Sequence, residues 1–111
     1  MSDRLPVHLL VSALIRRVDQ AGGSAMVLAR GDRGSGSLLI VCRERGAFIT
    51  VLESATGFDG RLALRPALAR DSVGETELGE LLSRRRRFDP DLWVIELDVA
   101  GAERFAAEMI L

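Results

Sequence analysis

The sequence predicts one α+β domain: an antiparallel sheet of four to five strands with two main helices, in the order α-β-β-β-(β)-α-β. Three observations carry this. Apolar residues recur at helical spacing near the start of the chain and again in its second half. Short runs of alternating or β-branched apolar residues fill the stretches between them. The whole is 111 residues long with 48% hydrophobic residues, enough to build one core but not two.

Pro6 suits the start of a helix, where its missing N–H costs nothing. Val7, Val11, Leu14 and Val18 then fall at i, i+4, i+7 and i+11, with Leu10 and Ile15 widening the stripe. This is an amphipathic helix of about four turns, and Gly22 and Gly23 are placed to end it. Three strand-like runs follow, Ala25–Arg30, Ser37–Glu44 and Ala47–Glu53. Short links join them: the polar stretch from Gly31 to Gly36, then Arg45-Gly46. Links this short predict antiparallel neighbours and so a three-strand meander. The middle run is apolar on both faces, as a central strand requires.

Residues Ala55–Gly60 read as a loop, and Arg61–Arg65, ending at Pro66, as a short edge strand. Ser72-Val73-Gly74-Glu75 fits a capping box ahead of a helix from about Glu75 to Arg87, with Leu78, Leu81 and Leu82, and Phe88 as a further candidate, on one side. Its acids lead and its arginines trail, an order that complements the helix dipole. Asp89-Pro90-Asp91 breaks this helix. In the strand Leu92–Asp98, Trp93, Ile95 and Leu97 share one face and Leu92, Val94, Glu96 and Asp98 the other. Ala102–Leu111 favours helix by propensity, with strand as the alternative. Two helices of this size cover about one face of such a sheet. The expectation is therefore a second face that is wet or meets a partner.

Composition removes several chemistries. All 15 basic residues are arginine, so lysine Schiff bases, a lysine-anchored pyridoxal cofactor and a phosphate-loop lysine are excluded. With one histidine, His8, and one cysteine, Cys42, the chain cannot supply a zinc site of Cys and His ligands or an internal disulfide. No Gly-x-Ser-x-Gly turn presents a nucleophile, and His8 reads as a helix-end residue. No cofactor is expected. Val7–Ile15 is too short for a membrane span and is followed directly by charge, so neither a targeting segment nor a membrane is expected, and the compartment predicted is the cytoplasm.

Two stretches resemble a known family. One is Ser12-Ala-Leu-Ile-Arg16-Arg17 with Ala21-Gly22-Gly23 and the Gly31-Asp32 turn; the other is RRRRFDPDLWVIELD, residues 84–98. Together they resemble domain-of-unknown-function family fourteen ninety-one, small uncharacterised bacterial proteins of one domain. The resemblance spans most of the chain and is weaker from Val51 to Leu68 and over the last ten residues. It implies a bacterial, cytoplasmic protein and brings no activity, cofactor or catalytic residue with it.

Candidate interaction or anion-binding residues are Arg16, Arg17, Arg84, Arg85, Arg86, Arg87 and Trp93. On a helix the four consecutive arginines fan through about 300°, so they cannot share one groove. Phosphate or nucleic-acid contact competes here with a solvated helix end, and the net charge of −1 favours the latter. Trp93 is a core residue or an exposed interface anchor. Asp89, Asp91 and Glu96 are weaker acidic candidates: Glu96 and Asp98 share a face and could meet a hard cation, but more simply Asp89 and Asp91 are turn residues bonding to backbone amides and Glu96 pairs with an arginine. The Gly31–Gly36 stretch has the composition of a phosphate loop, but it joins two strands and reads as a mobile hairpin loop. The functional expectation is a non-enzymatic protein-interaction or assembly module, self-associating as a homodimer through the uncovered sheet face. Two alternatives stand behind it: an accessory nucleic-acid-binding protein using the arginines, and a carboxylate-metal hydrolase.

Overall fold

Helix α1 (Val7–Gln20) begins where Pro6 predicts: the Pro6 carbonyl accepts the amide protons of Leu9 and Leu10 at 3.0 and 3.1 Å. Its apolar stripe is fully used, with Leu10, Val11, Leu14 and Val18 all buried. It closes on Gly22 at φ +86°, where the Gly22 amide donates to Asp19 O and the Gly23 amide to Val18 O at 3.1 and 3.0 Å. That bond pair needs a left-handed residue between helix and exit, which glycine adopts without strain. The computed structural model describes residues 6–33, 36–56, 62–67 and 74–110.

The remaining elements are β1 (Ser24–Ala29), β2 (Leu38–Glu44), β3 (Ala47–Thr56), β4 (Leu62–Pro66), α2 (Glu75–Phe88), β5 (Trp93–Asp98) and α3 (Ala102–Ile110). The α+β class is as expected, and the C-terminal segment is helix. The Arg45-Gly46 link is a hairpin turn with both central residues at positive φ, 52° and 81°, the geometry that matches strand twist. Of the predicted loop Ala55–Gly60, Ala55 and Thr56 belong to β3, whose pairing with β4 extends that strand; 57–60, Gly34, Ser35, Arg61, Leu111 and Ser72 and Val73 of the capping box lie outside the described residues. The residue capping α2 is Gly74, which makes no side-chain cap bond.

The three-strand meander is corrected. The sheet order is β1-β5-β2-β3-β4, so β5 lies between β1 and β2. It runs antiparallel to β1 and parallel to β2, which makes the sheet mixed. Neighbouring strands are about 4.8 Å apart, so β1 and β2 lie about 10 Å apart. A link from Arg30 to Ser37 can reach roughly 25 Å when extended, so it crosses one strand as readily as it turns a hairpin. Only β2 and β3, held by the two-residue turn, had no such freedom.

The expectation of a bare sheet face is also corrected. Leu38, Ile40, Cys42, Trp93, Ile95 and Leu97 pack with α1 and α3 on one face. Leu39, Val41, Val51, Leu92 and Val94 pack with Leu78 and Leu81 of α2 on the other. Period-two alternation thus gives β2 and β5 apolar residues on both faces, and each face has its own cover.

Charged clusters reinforce α2 at both ends. Arg43 on β2 donates from Nη1 and Nη2 to Glu75 at 2.7 and 2.8 Å, and from Nε to Glu96 at 2.7 Å. Toward the other end, Glu53 on β3 accepts from Arg85 at 2.7 Å and from Arg65 at 3.0 Å. Burial alone would raise the pKa of Glu53, but the two guanidinium hydrogen bonds outweigh it and hold the carboxyl below its ordinary value. The hydrogen bond from Arg43 does the same for the exposed Glu75. Depressed carboxylate pKa values stabilise the fold above the unfolded-state value of about 4.3, and the contribution is lost as pH falls through the folded values. A thermal-denaturation series is therefore expected to show stability falling as the pH drops below about 4.3, with a flatter acid limb in Glu53→Gln. An identical acid limb in that variant would contradict the assignment.

Candidate functional site

The structure separates the sequence-predicted residues. Arg16 and Arg17 lie on α1, on one side of the sheet, and Arg84–Arg87 lie on α2, on the other. They form no common patch. Arg17 pairs with Glu108 of α3 at 3.2 Å, and Arg16 is exposed. Within the arginine run, Arg85 turns inward to Glu53, while Arg84, Arg86 and Arg87 are exposed.

Trp93 is 4% exposed and belongs to the α1 face of the core. Its indole N–H donates to the Asp32 carbonyl at 2.5 Å, and the Arg30 guanidinium lies 6.0 Å from the ring. This ring anchors the link that passes across the start of β5. Asp32 N–H donates to Asp91 O at 3.0 Å, and Trp93 N–H to Ser37 O at 2.8 Å. At the other side the Arg33 carbonyl accepts from His8 Nδ1 at 2.7 Å, so His8 is a helix-end residue engaged with this link. Gly31 and Gly36 are needed here: a Cβ on either would collide with the Asp91 carbonyl oxygen. The described parts of this stretch are thus pinned from three sides, and the hairpin-loop expectation is corrected. The end of the Phe-Asp-Pro-Asp-Leu-Trp signature has a structural meaning: Asp91, Leu92 and Trp93 form the platform on which Gly31, Asp32 and Gly36 rest.

The acidic candidates serve the same architecture. Asp89 Oδ1 accepts the Asp91 amide at 3.1 Å, a turn-forming bond. Glu96 is bound to Arg43, and Asp98 Oδ2 accepts the Gly46 amide at 2.9 Å. Among the described residues, no three His, Cys, Asp or Glu side chains converge on a position suited to a metal ion. Cys42 is fully buried; burial, with a smaller contribution from nearby Glu103, pushes its thiol up to about 12, which keeps it protonated and unreactive at neutral pH. Among the described residues, no helix is long and apolar enough to cross a membrane.

Sequence reasoning passed over the feature that stands out in the folded chain, the free edge of β1. The strand reads Ser-Ala-Met-Val-Leu-Ala, without a charge or a proline, and among the described residues its one sheet neighbour is β5. Met26 is 54% and Leu28 41% exposed. A bulge between Val27 and Ala29 leaves Ser24–Val27 as the regular ladder. The opposite edge, β4, carries Arg65 and Pro66, two devices that discourage strand pairing. The contrast was legible as a charge-free hexapeptide; its neighbour was not, since the meander places β2 rather than β5 beside it.

Comparison with known proteins agrees with this architecture. The family model described as "Protein of unknown function (DUF1491)" matches residues 5–107. A crystal structure of a DUF1491 family protein from Caulobacter crescentus CB15 superposes with a TM-score of 0.80 at 29% identity, covering 92% of this chain and 94% of that one. An NMR structure of a DUF1491 family protein from the same organism gives 0.79 at 31% identity, covering 91% of each chain. The solution structure of protein Atu0922 from A. tumefaciens gives 0.73 at 35% identity, covering 86% of each. No curated protein matches the chain.

Proposed function

The chain belongs to DUF1491, a family of proteins of unknown function, and we propose that it is a non-enzymatic, cytoplasmic binding module that receives an extended segment of a protein partner along β1. The observation that carries this reading is the asymmetry of the two sheet edges. A strand edge presents a row of backbone donors and acceptors, and an added strand can take them up while seating alternate side chains against its neighbours. The β1 edge has no charge to repel such a strand, and Met26 and Leu28 supply apolar surface beside it. The rest of the fold gives the edge a rigid backing: β5 is buried on both faces and α1 packs behind β1.

The test is selection of peptides against the immobilised protein from a random displayed library, followed by affinity measurement with the selected peptides. The expected winners alternate apolar and polar residues, as an added strand would. Met26→Lys with Leu28→Lys alters exposed positions, so stability should move by no more than about 1 kcal/mol in total while affinity falls at least tenfold. Selected peptides that bind this double variant as well as the parent would overturn the reading.

A further inference from the structure

The outer face of α2 carries a pattern that the fold does not use. Glu77, Glu80, Arg84 and Arg87 are all exposed and make no ion pair among the described residues, in contrast to Glu75 and Arg85 of the same helix. Their spacing is i, i+3, i+7, i+10. At 100° per residue this gathers them within a sector of about 80°, centred roughly 110° from the buried Leu78 and Leu81. Arg86 falls outside that sector, and Arg85 points to the sheet. Thr76, Gly79 and Ser83 flank the row and, with Glu80, Arg84 and Arg87, line a shallow groove along the helix.

The helix dipole favours acids first and arginines last, but it is indifferent to azimuth and does not explain a single row at coiled-coil spacing. Along this row the charge is antisymmetric: two acids, then two arginines. A parallel copy would oppose like charges. An antiparallel copy related by a twofold axis opposes unlike charges at every position.

From this we infer that α2 is a self-association surface whose occupant is a second copy of this chain, packed antiparallel about a twofold axis at the level of Leu82. In that register Glu80 meets Arg84 of the second copy, Glu77 meets Arg87 of the second copy, and the twofold repeats both pairs. Phe88, 77% exposed at the end of α2, comes level with Thr76 of the second copy and adds apolar burial at each end. Exposed charge pairs contribute little each, so the row sets register and orientation in a weak, salt-sensitive dimer. The surface is separate from the β1 edge, and Met26→Lys with Leu28→Lys should leave it unchanged.

The test is sedimentation equilibrium up to millimolar protein. The parent chain is expected to dimerise at low salt and to weaken about tenfold or more at high salt. Arg84→Glu with Arg87→Glu makes the row all acidic; Glu77→Arg with Glu80→Arg makes it all basic. Each variant alone should be monomeric, and an equimolar mixture should form a heterodimer tighter than the parent dimer. Circular dichroism verifies that both remain folded. Should either reversal unfold the chain, Arg84→Gln with Arg87→Gln, which leaves folding charges untouched, should still abolish dimerisation. A parent chain that stays monomeric at low salt, variants that dimerise like the parent, or a mixture that stays monomeric would each overturn the inference.

Discussion

Trp93→Ala is expected to cost about 3–5 kcal/mol of stability, the range for deleting a large buried aromatic. Against a typical total of about 5–15 kcal/mol, that is enough to leave the variant marginal or unfolded. The ring is 4% exposed, packs among α1, α3 and the first face of the sheet, and holds the Arg30–Ser37 link through Asp32. Truncation thus opens a cavity and releases the link that joins β1 to β2 across the start of β5. Trp93→Phe retains most of the apolar area but deletes the indole donor and part of the ring volume, so about 1–2 kcal/mol is expected. Chemical denaturation of the two variants checks both values. A loss under about 1 kcal/mol for the alanine variant would mean that Trp93 is not the anchor described.

Arg43→Met is expected to destabilise the domain by about 1–3 kcal/mol. Losing one member of a fully buried ion pair costs roughly 3–5 kcal/mol, and exposure reduces that here: Glu96 retains 23% and Glu75 64% of its side-chain surface. Arg43 joins β2, β5 and α2 in one bidentate and one single contact and lies 5.9 Å from the Phe48 ring. Without it, Glu96 is left on the sheet beneath α2 with no guanidinium partner. Adding Glu96→Gln removes that stranded charge, so the double variant should be more stable than Arg43→Met alone. Native-state hydrogen exchange should locate the damage in Leu78 and Leu81 before β2 and β5, because α2 would loosen as a unit. A double variant less stable than Arg43→Met, or exchange that rises uniformly, would contradict this role.

How much of this was legible in the sequence depended on whether the signal was local. The bounds of α1 follow from Pro6, the apolar stripe and Gly22-Gly23, all within one helix length. The division of β5 into two faces follows from alternation, and the Arg45-Gly46 turn from its own residue types. Alternation assigns faces, however, not neighbours. Nothing in Gly31–Gly36 distinguishes a hairpin from a crossing until Trp93 and Asp91 are seen beneath it. The same gap hid the charge clusters. Glu75 finds Arg43 and Glu53 finds Arg85 across separations of 32 residues, beyond any helical or strand period. Arg84–Arg87 read as one conspicuous motif, yet the fold divides them between the sheet and the outer face.

The β1 edge is most directly tested by isotope-edited NMR on the protein with a library-selected peptide bound. Cross-strand contacts between the peptide backbone and Ser24–Val27, with Met26 and Leu28 side chains against it, are the predicted result. Peptide contacts that instead cluster on β4, on α2 or at the ends of the sheet, leaving the β1 amides unshifted, would contradict it.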